Sequence, residues 1–327
     1  MRKTVLIFIA VAALLILTFF VSVGAGSLKV TAGELLRGLF VEYDPDVAAI
    51  YDLRLPRVFI SMLAGAALAA SGMLLQAVMK NPVADPGIIG ISGGAAFFSV
   101  VVTALFPALF FLTPVIAFIG GVFAFMLVYS LAWHAGLNPL RIILVGVAIS
   151  AMFTGLSSAF NSFSGGNLSG VAAIVNGNIA MKTWYDVRTL TAYAAVGLVI
   201  ALLAVRRCNL LMLDDKTVRS LGVDATKSRL AVSCIAVLLA SSTTAIIGSV
   251  GFLGLIAPHI ARLLVGSDHR AALPFSMLLG AFILLAADTA GRTVAAPYEI
   301  PAGILMAVVG GPFFIFLLKR SKDGYGA

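Results

Sequence analysis

Apolar runs of near-membrane length follow one another along this 327-residue chain, and the Lys and Arg residues gather in every second linker between them. A bilayer core of ~30 Å takes about 20 helical residues to cross. In lipid the backbone must satisfy its own hydrogen bonds, so runs of this kind are expected as helices. The chain is 61% hydrophobic and 11% charged, whereas a soluble domain carries about 25% charged residues. A soluble fold of this composition would have no surface to show to water. The expectation is an all-α polytopic membrane protein.

Ten spans are expected, at about 4–23, 57–79, 88–106, 114–133, 140–160, 189–205, 230–248, 250–265, 273–291 and 301–318. No linker is long enough for a folded soluble domain, so residues 1–327 read as one transmembrane domain. Its longer linkers are 24–56 and 161–188 on the outside and 206–229 on the inside. An even number of spans puts both termini on one side. With Arg2, Lys3, Lys319, Arg320 and Lys322 inside, all but seven of the 22 basic residues fall on or near the cytoplasmic face. The seven are Lys29, Arg37, Arg54, Arg57, Lys182, Arg188 and Arg292. That bias follows the positive-inside rule and accounts for the net charge of +8 as topology rather than nucleic-acid binding. Met1-Arg2-Lys3 and the run after it could also be a signal peptide. The run exceeds the usual 7–15-residue core, which favours an uncleaved first span.

The segment Gly65-Ala66-Ala67-Leu68-Ala69-Ala70-Ser71-Gly72 makes a small face that permits close helix contact. Gly248, Gly251 and Gly254 repeat at three residues; tight packing is favoured over a glycine-lined pore. The linker Lys80-Asn81-Pro82-Val83-Ala84-Asp85-Pro86-Gly87 cannot be one continuous helix. Non-helical backbone at membrane depth needs burial in protein or a water-lined cavity, so turn and pore lining stay equally open here.

Residues 206–229 mix charge with apolar Leu213, Val218 and Leu221. Asp214 or Asp215 suits a helix N-cap, Asp215 and Arg219 stand at i,i+4, and Gly222 suits a stop. A solvated connector and a docking surface both fit. Outside, Arg54 and Arg57 sit at the mouth of span two and Arg292 at the end of span nine. Headgroup anchoring explains isolated arginines. Asp288, four residues before Arg292, reads as a local ion pair, with a proton-relay carboxylate as the competing reading.

His134, His259 and His269 form no metal-ligand spacing with Cys208 or Cys234, and the two cysteines show no pairing signature. No Gly-x-x-x-x-Gly-Lys-Ser/Thr phosphate loop exists, and no nucleophile–base pattern is present. No catalytic residue, metal site or cofactor of this chain's own is expected.

Several segments, in order, carry a resemblance. They are Leu53-Arg54-Leu55-Pro56-Arg57, Gly65–Gly72 with Gln76, and Asn81-Pro82-Val83-Ala84-Asp85-Pro86. Gly251-Phe252-Leu253-Gly254-Leu255-Ile256-Ala257-Pro258-His259 with Arg262, then Gly266-Ser267-Asp268-His269-Arg270, come next. Glu299-Ile300-Pro301-Ala302-Gly303 and Gly311-Pro312-Phe313-Phe314 close the series. Over nearly its whole length the chain resembles the FecCD-type permeases of binding-protein-dependent ABC importers, which carry ferric siderophores, haem and cobalamin. Ala257 and Gly291 depart slightly from that pattern, Gly291 standing where Ala is frequent.

The resemblance implies a type II importer permease of ten helices in the cell membrane. It implies a second permease subunit, identical or paralogous, a cytoplasmic ATPase dimer that uses ATP and Mg, and an external substrate-binding lipoprotein. Arg54, Arg57 and Arg292 then match arginines that meet acidic residues on the binding protein. Asn81, Pro82 and Val83 match the cytoplasmic constriction, to which Asn138 and Pro139 add a second element. Leu213, Asp215, Arg219, Ser220, Leu221 and Gly222 match the coupling helix that sits on the ATPase. Met181-Lys182-Thr183-Trp184-Tyr185-Asp186 and Asn209–Asp215 look like segments of haem permeases. The expected function is import of an iron chelate, ferric siderophore ahead of haem and cobalamin third. A proton-driven secondary transporter using Asp288 and His259 is the rival from another class. A non-transporting scaffold or sensor is the second.

Overall fold

The computed structural model of the chain describes residues 2–24, 33, 47–48, 50–133, 139–163 and 171–322. Among these residues the only regular structure is helix. The long helices are α1 (Arg2–Gly24), α2 (Leu55–Met79), α3 (Ile91–Leu105), α4 (Thr113–Trp133), α5 (Pro139–Phe163), α7 (Trp184–Leu203), α10 (Ala225–Ile247), α11 (Leu253–Val265), α12 (His269–Val294) and α13 (Ala302–Lys322). Three short ones, α6 (Val171–Asn176), α8 (Val205–Leu211) and α9 (Asp215–Ser220), lie in linkers. Each expected span has its helix.

Local capping moves several boundaries. Helix α7 begins five residues before the expected span because Asp186 Oδ2 accepts from the Thr183 amide and hydroxyl, both at 2.9 Å. The Thr-x-x-Asp signal for this was in the sequence. Helix α10 likewise begins at Ala225, where Asp224 caps the amides of Thr226 (2.9 Å) and Lys227 (3.0 Å). Much of the 206–229 linker is therefore helical.

Among the described residues, seven helices are long and apolar enough to cross a bilayer; α3, α11 and the apolar part of α13 are shorter. For α3 and α11 the reason is structural. Gly254, near the start of α11, lies against Gly72 in the second half of α2, so that a Cβ on Gly72 would collide with the Gly254 carbonyl. Helix α11 thus starts inside the bundle, after a non-helical segment 248–252. The lead-in to α3 reaches the same place, since a Cβ on Gly254 would stand 2.9 Å from Asp85 Oδ2 and one on Gly87 3.3 Å from Gly251 Cα. Two interrupted segments meet there, each completed by protein rather than by lipid.

The core is built around α2, where 78% of the apolar window is buried, against 11% in α1 at the periphery. Helices cannot gain from the hydrophobic effect inside lipid, so close approach supplies the contact energy. Gly65 and Gly280 face each other backbone to backbone between α2 and α12, with no room for a Cβ on either. Ser71 Oγ donates to the Ala236 carbonyl at 2.7 Å and joins α2 to α10; such bonds contribute roughly 0.6 kcal/mol in membranes. The packing reading of the Gly65–Gly72 face is what the structure has. Gly291 has a similar cause: a Cβ there would meet the Ile300 carbonyl, and the Ile300 amide donates to the Gly291 carbonyl at 2.9 Å.

Candidate functional site: two charged clusters and an interrupted centre

At one end of the bundle, a turn of π-helix over Ile50–Arg54 leads into α2 and sets Arg57 on its first turn. Arg57 is buried. Its Nε reaches Asp288 Oδ1 and Oδ2 at 3.1 and 3.0 Å, its Nη2 reaches Oδ1 at 2.9 Å, and its Nη1 reaches Glu299 Oε2 at 2.9 Å. Arg292 Nε stands 3.8 Å from Asp288 Oδ2, while its Nη2 donates to the Ser22 carbonyl and to Ser22 Oγ at 2.7 Å. The expected Asp288–Arg292 pair exists, but Arg57 is the nearer partner of Asp288. Chain separation hid this contact, because 231 residues lie between Arg57 and Asp288. Arg54 is half-buried and donates from Nη1 to the Val23 carbonyl at 3.1 Å. The three arginines therefore share one end, with Arg57 and Arg292 committed to internal partners. Glu299 is a member of this cluster that the sequence offered only as part of a family motif, without a role.

At the opposite end, α9 carries the charged and apolar mixture. It closes with the Gly222 amide on the Arg219 carbonyl (3.0 Å) and the Val223 amide on the Val218 carbonyl (3.3 Å). Gly222 has φ +76°, so this is a Schellman stop. Val218 is buried, whereas Met212, Leu213 and Leu221 are 51%, 42% and 58% exposed. Spacing suggested an Asp215–Arg219 pair. Instead Asp215 Oδ1 accepts from Arg229 Nη2 at 2.7 Å and from Lys80 Nζ at 3.1 Å. Lys80 also donates to the Leu213 carbonyl at 2.6 Å. Burial raises the Asp215 carboxyl, but the hydrogen bonds and charges of Lys80 and Arg229 outweigh it and hold the group below its ordinary range. Asp214 occupies the N-cap position and makes no side-chain cap bond.

Lys80, in a left-handed conformation at φ +49°, is the residue directly before Asn81-Pro82-Val83. Asn81 and Val83 are buried, with Asn81 Oδ1 accepting from the Val83 amide at 3.1 Å; Pro82 is exposed. Gln76 Nε2 donates to the Ala84 and Gly254 carbonyls, both at 3.1 Å, and its Oε1 accepts from Arg262 Nη2. Asp85 Oδ1 accepts from the amides of Gly87 (2.8 Å) and Ile88 (3.2 Å), and Ser150 Oγ on α5 donates to the Gly87 carbonyl at 2.8 Å. Protein groups thus satisfy much of this interrupted backbone. Asn138 lies outside the described residues, as does His134; Pro139 begins α5.

Of the remaining histidines, His259 packs edge-on to Phe313 at 5.7 Å. His269 Nδ1 lies 2.7 Å from Asn209 Oδ1, which also accepts the His269 amide at 3.0 Å. Cys208 is buried, which pushes its thiol up to about 12; Cys234 is exposed.

The profile of the FecCD transport family matches residues 14–320. The chain belongs to this family. It is also 38% identical over 321 residues, 98% of each chain, to the "Probable heme-iron transport system permease protein IsdF" of Staphylococcus aureus (strain MSSA476). Among solved structures, it superposes on a chain of an ABC transporter assigned to the metal-chelate type, in an inward-facing conformation. That match has a TM-score of 0.78 and 30% identity, and it covers 97% of this chain and 99% of the other. PsaBC from Streptococcus pneumoniae, at 13% identity and TM-score 0.56, covers 88% of this chain and 95% of its own and shares the fold. The chain is a multi-pass membrane permease, the transport subunit of an ABC transporter.

Proposed function

We propose that this chain, as one transmembrane permease domain over residues 1–327, imports an iron chelate, with haem as the first candidate and a ferric siderophore second. The carrying observation is the 38% identity to a permease named for heme iron, over 98% of both chains. With that relative, haem stands ahead of ferric siderophore, the reverse of the order expected from the sequence, although two segments already resembled haem permeases. Both termini are assigned to the cytoplasm, so the Arg57 end faces outward and the Asp215 end inward. An external binding protein delivers the chelate, a second permease subunit completes the path, and a separate ATPase dimer uses ATP and Mg. No cofactor is assigned to this chain.

The division of labour follows. Arg54 is the half-buried arginine of the three and is assigned to first contact with the binding protein; Arg57 and Arg292 back it from the buried cluster. The exposed Met212, Leu213 and Leu221 beside Asp215, Arg219, Ser220 and Gly222 suit seating on the ATPase. The Asn81-Pro82-Val83 turn is assigned to the cytoplasmic gate, with Asn138 and Pro139 contributing. Because Lys80 joins that turn to Asp215, movement of the coupling segment has a direct route to the gate.

Reconstitution into vesicles with the partner ATPase and binding protein tests this. Haem uptake that needs ATP and the binding protein is expected, with weaker uptake of ferric siderophores. Uptake driven by a proton gradient without ATP would instead support the secondary-transporter reading.

A further inference from the structure

A cavity of about 310 Å³ opens at the Arg57 end of the bundle, between the end of α3, the 107–112 connector, the lead-in to α7 and the end of α10. It lies within the lower range of small-molecule sites. Neither the Arg57 cluster nor the Asn81-Pro82-Val83 turn contributes to its walls. Its lining is amphipathic. Phe110, Phe111 and Tyr185 form an aromatic side, with the Phe110 and Tyr185 rings 5.7 Å apart, and Ile246 and Ile247 add apolar floor. Lys182, Asn178 and Asp186, with Thr103, Thr113 and Thr189, supply the polar side.

Lys182 is the unexplained member. It is half-buried, and burial lowers its ammonium below the ordinary lysine range, opposed by the charge of Asp186. Among the described residues it has no hydrogen bond and no ion pair within 4.0 Å. Asp186 acts on it through charge and without an ion pair within 4.0 Å; its Oδ2 accepts from the Thr183 amide and hydroxyl at the start of α7. Asn178 Oδ1 is taken by the Ala180 amide at 2.8 Å, which leaves its NH₂ as a donor. A desolvated ammonium without a partner is unfavourable. It is offset when an anionic oxygen arrives, and lysine is a common point-charge binder of phosphate.

The rim fixes the depth. Phe110, Phe111 and Tyr185 are 56%, 51% and 50% exposed, and Trp184 sits beside Tyr185. Tyr and Trp collect at membrane–water boundaries, where one end of the ring is apolar and the other wet. A cation facing into a cavity, with an aromatic rim at the boundary, matches an amphiphile whose phosphate enters and whose acyl chains stay in the bilayer.

We propose that Lys182 and Asn178 form a phosphate-binding site for an outer-leaflet phospholipid headgroup. The site shares no residue with the Arg57 cluster or the Asn81-Pro82-Val83 turn; that the leaflet is the outer one rests on the orientation proposed above, and the lipid site does not depend on which chelate is carried. Lys182 takes the phosphate, the Asn178 amide supplies a second donor, and the Phe110–Phe111–Tyr185 side carries the glycerol and upper acyl carbons. Asp186 favours headgroups that also carry an amine.

The test uses the full chain purified in mild detergent, with bound lipid counted by native mass spectrometry. Phosphatidylethanolamine, phosphatidylglycerol and inorganic phosphate are titrated separately. Wild type is expected to keep one phospholipid through washing, with the ethanolamine lipid bound tighter than the glycerol one. Lys182→Gln should weaken that lipid at least tenfold, Lys182→Arg should keep it, and Ala104→Trp should exclude it by volume. If inorganic phosphate displaces the lipid in wild type and not in Lys182→Gln, the phosphate site stands and free phosphate competes for it. Equal lipid retention in wild type, Lys182→Gln and Ala104→Trp overturns the proposal.

Discussion

The two ends of the bundle both hold charge clusters, and they are built in opposite ways. At the Arg57 end, side chains from α2 and α12 meet with Arg57, Asp288 and Arg292 each less than a tenth exposed. At the Asp215 end, Lys80 and Asp215 pair while 33% and 38% exposed, with Arg229 as the third member. Burial changes what a charge does. A buried pair that loses one partner leaves an uncompensated ion and costs about 3–5 kcal/mol. An exposed pair contributes about 0.2–1 kcal/mol and is screened by salt. The first cluster can set the relative position of two helices. The second can tie a segment loosely enough for it to move.

The sharpest way to break this comparison is Asp288→Ala. It leaves Arg57 with only the more exposed Glu299 and removes the carboxylate beside Arg292, and a loss of about 3–5 kcal/mol is expected in detergent unfolding. Adding Arg57→Met should recover part of it. A loss below about 1 kcal/mol would mean the cluster behaves as a surface one.

Reversal of the arginines separates the two roles at that end. Arg57→Glu would gather three carboxylates and should lower the amount of folded protein in the membrane. Arg54→Glu should insert normally and weaken binding-protein affinity, since like charges across an interface cost several kcal/mol. Equal abundance of both variants would show that burial does not distinguish these positions.

At the opposite end, Leu221→Asp alters an exposed side chain, so the isolated permease should keep its unfolding midpoint. Co-purification of the ATPase should fall. Normal co-purification and normal transport-coupled hydrolysis would remove α9 from the contact.

Asp215→Ala should cost under about 1 kcal/mol, and less in 1 M salt. The folded carboxyl sits below its ordinary range, so its contribution is full above ~3.9 and is lost as pH falls through the folded value. Between pH 7 and 5 the difference between Asp215→Ala and wild type should therefore stay constant. A difference that shrinks over that interval would mean that Lys80 and Arg229 do not hold the carboxyl.

The smallest effect is on accessibility. Pro82 is exposed and Val83 is buried, so Pro82→Cys, in a Cys234→Ser background, should label from the cytoplasmic side in a nucleotide-dependent way. Cys208 should stay unlabelled at neutral pH because burial holds its thiol near 12. Val83→Trp is a poorer probe of the gate, since overpacking a buried site costs about 1–3 kcal/mol by itself.

Much of the architecture was legible in the linear order. The ten long helices follow from apolar length alone, and Gly222 marked its own stop through the positive φ it adopts. Thr183 and Asp186 could also have been read, three residues apart, as the start of α7. The Asp215 partners could not. Arg219 stood at the right spacing, yet Lys80, at the C-cap of α2, and Arg229 on α10 reach the carboxylate. Lys182 stood in a segment noted only for its likeness to haem permeases, and its cavity is lined by elements far apart in the chain.

By itself the sequence determined the class of solvent, the long helices among the described residues and the family, because these depend on local length, hydropathy and ordered motifs. Only the tertiary structure decided that α3 and α11 begin inside the bundle, that Arg57 rather than Arg292 is the nearer partner of Asp288, and that Lys182 faces a cavity. Each of those rests on contacts between residues far apart in the chain. Their energies come from distance and burial, which arise only when the helices pack.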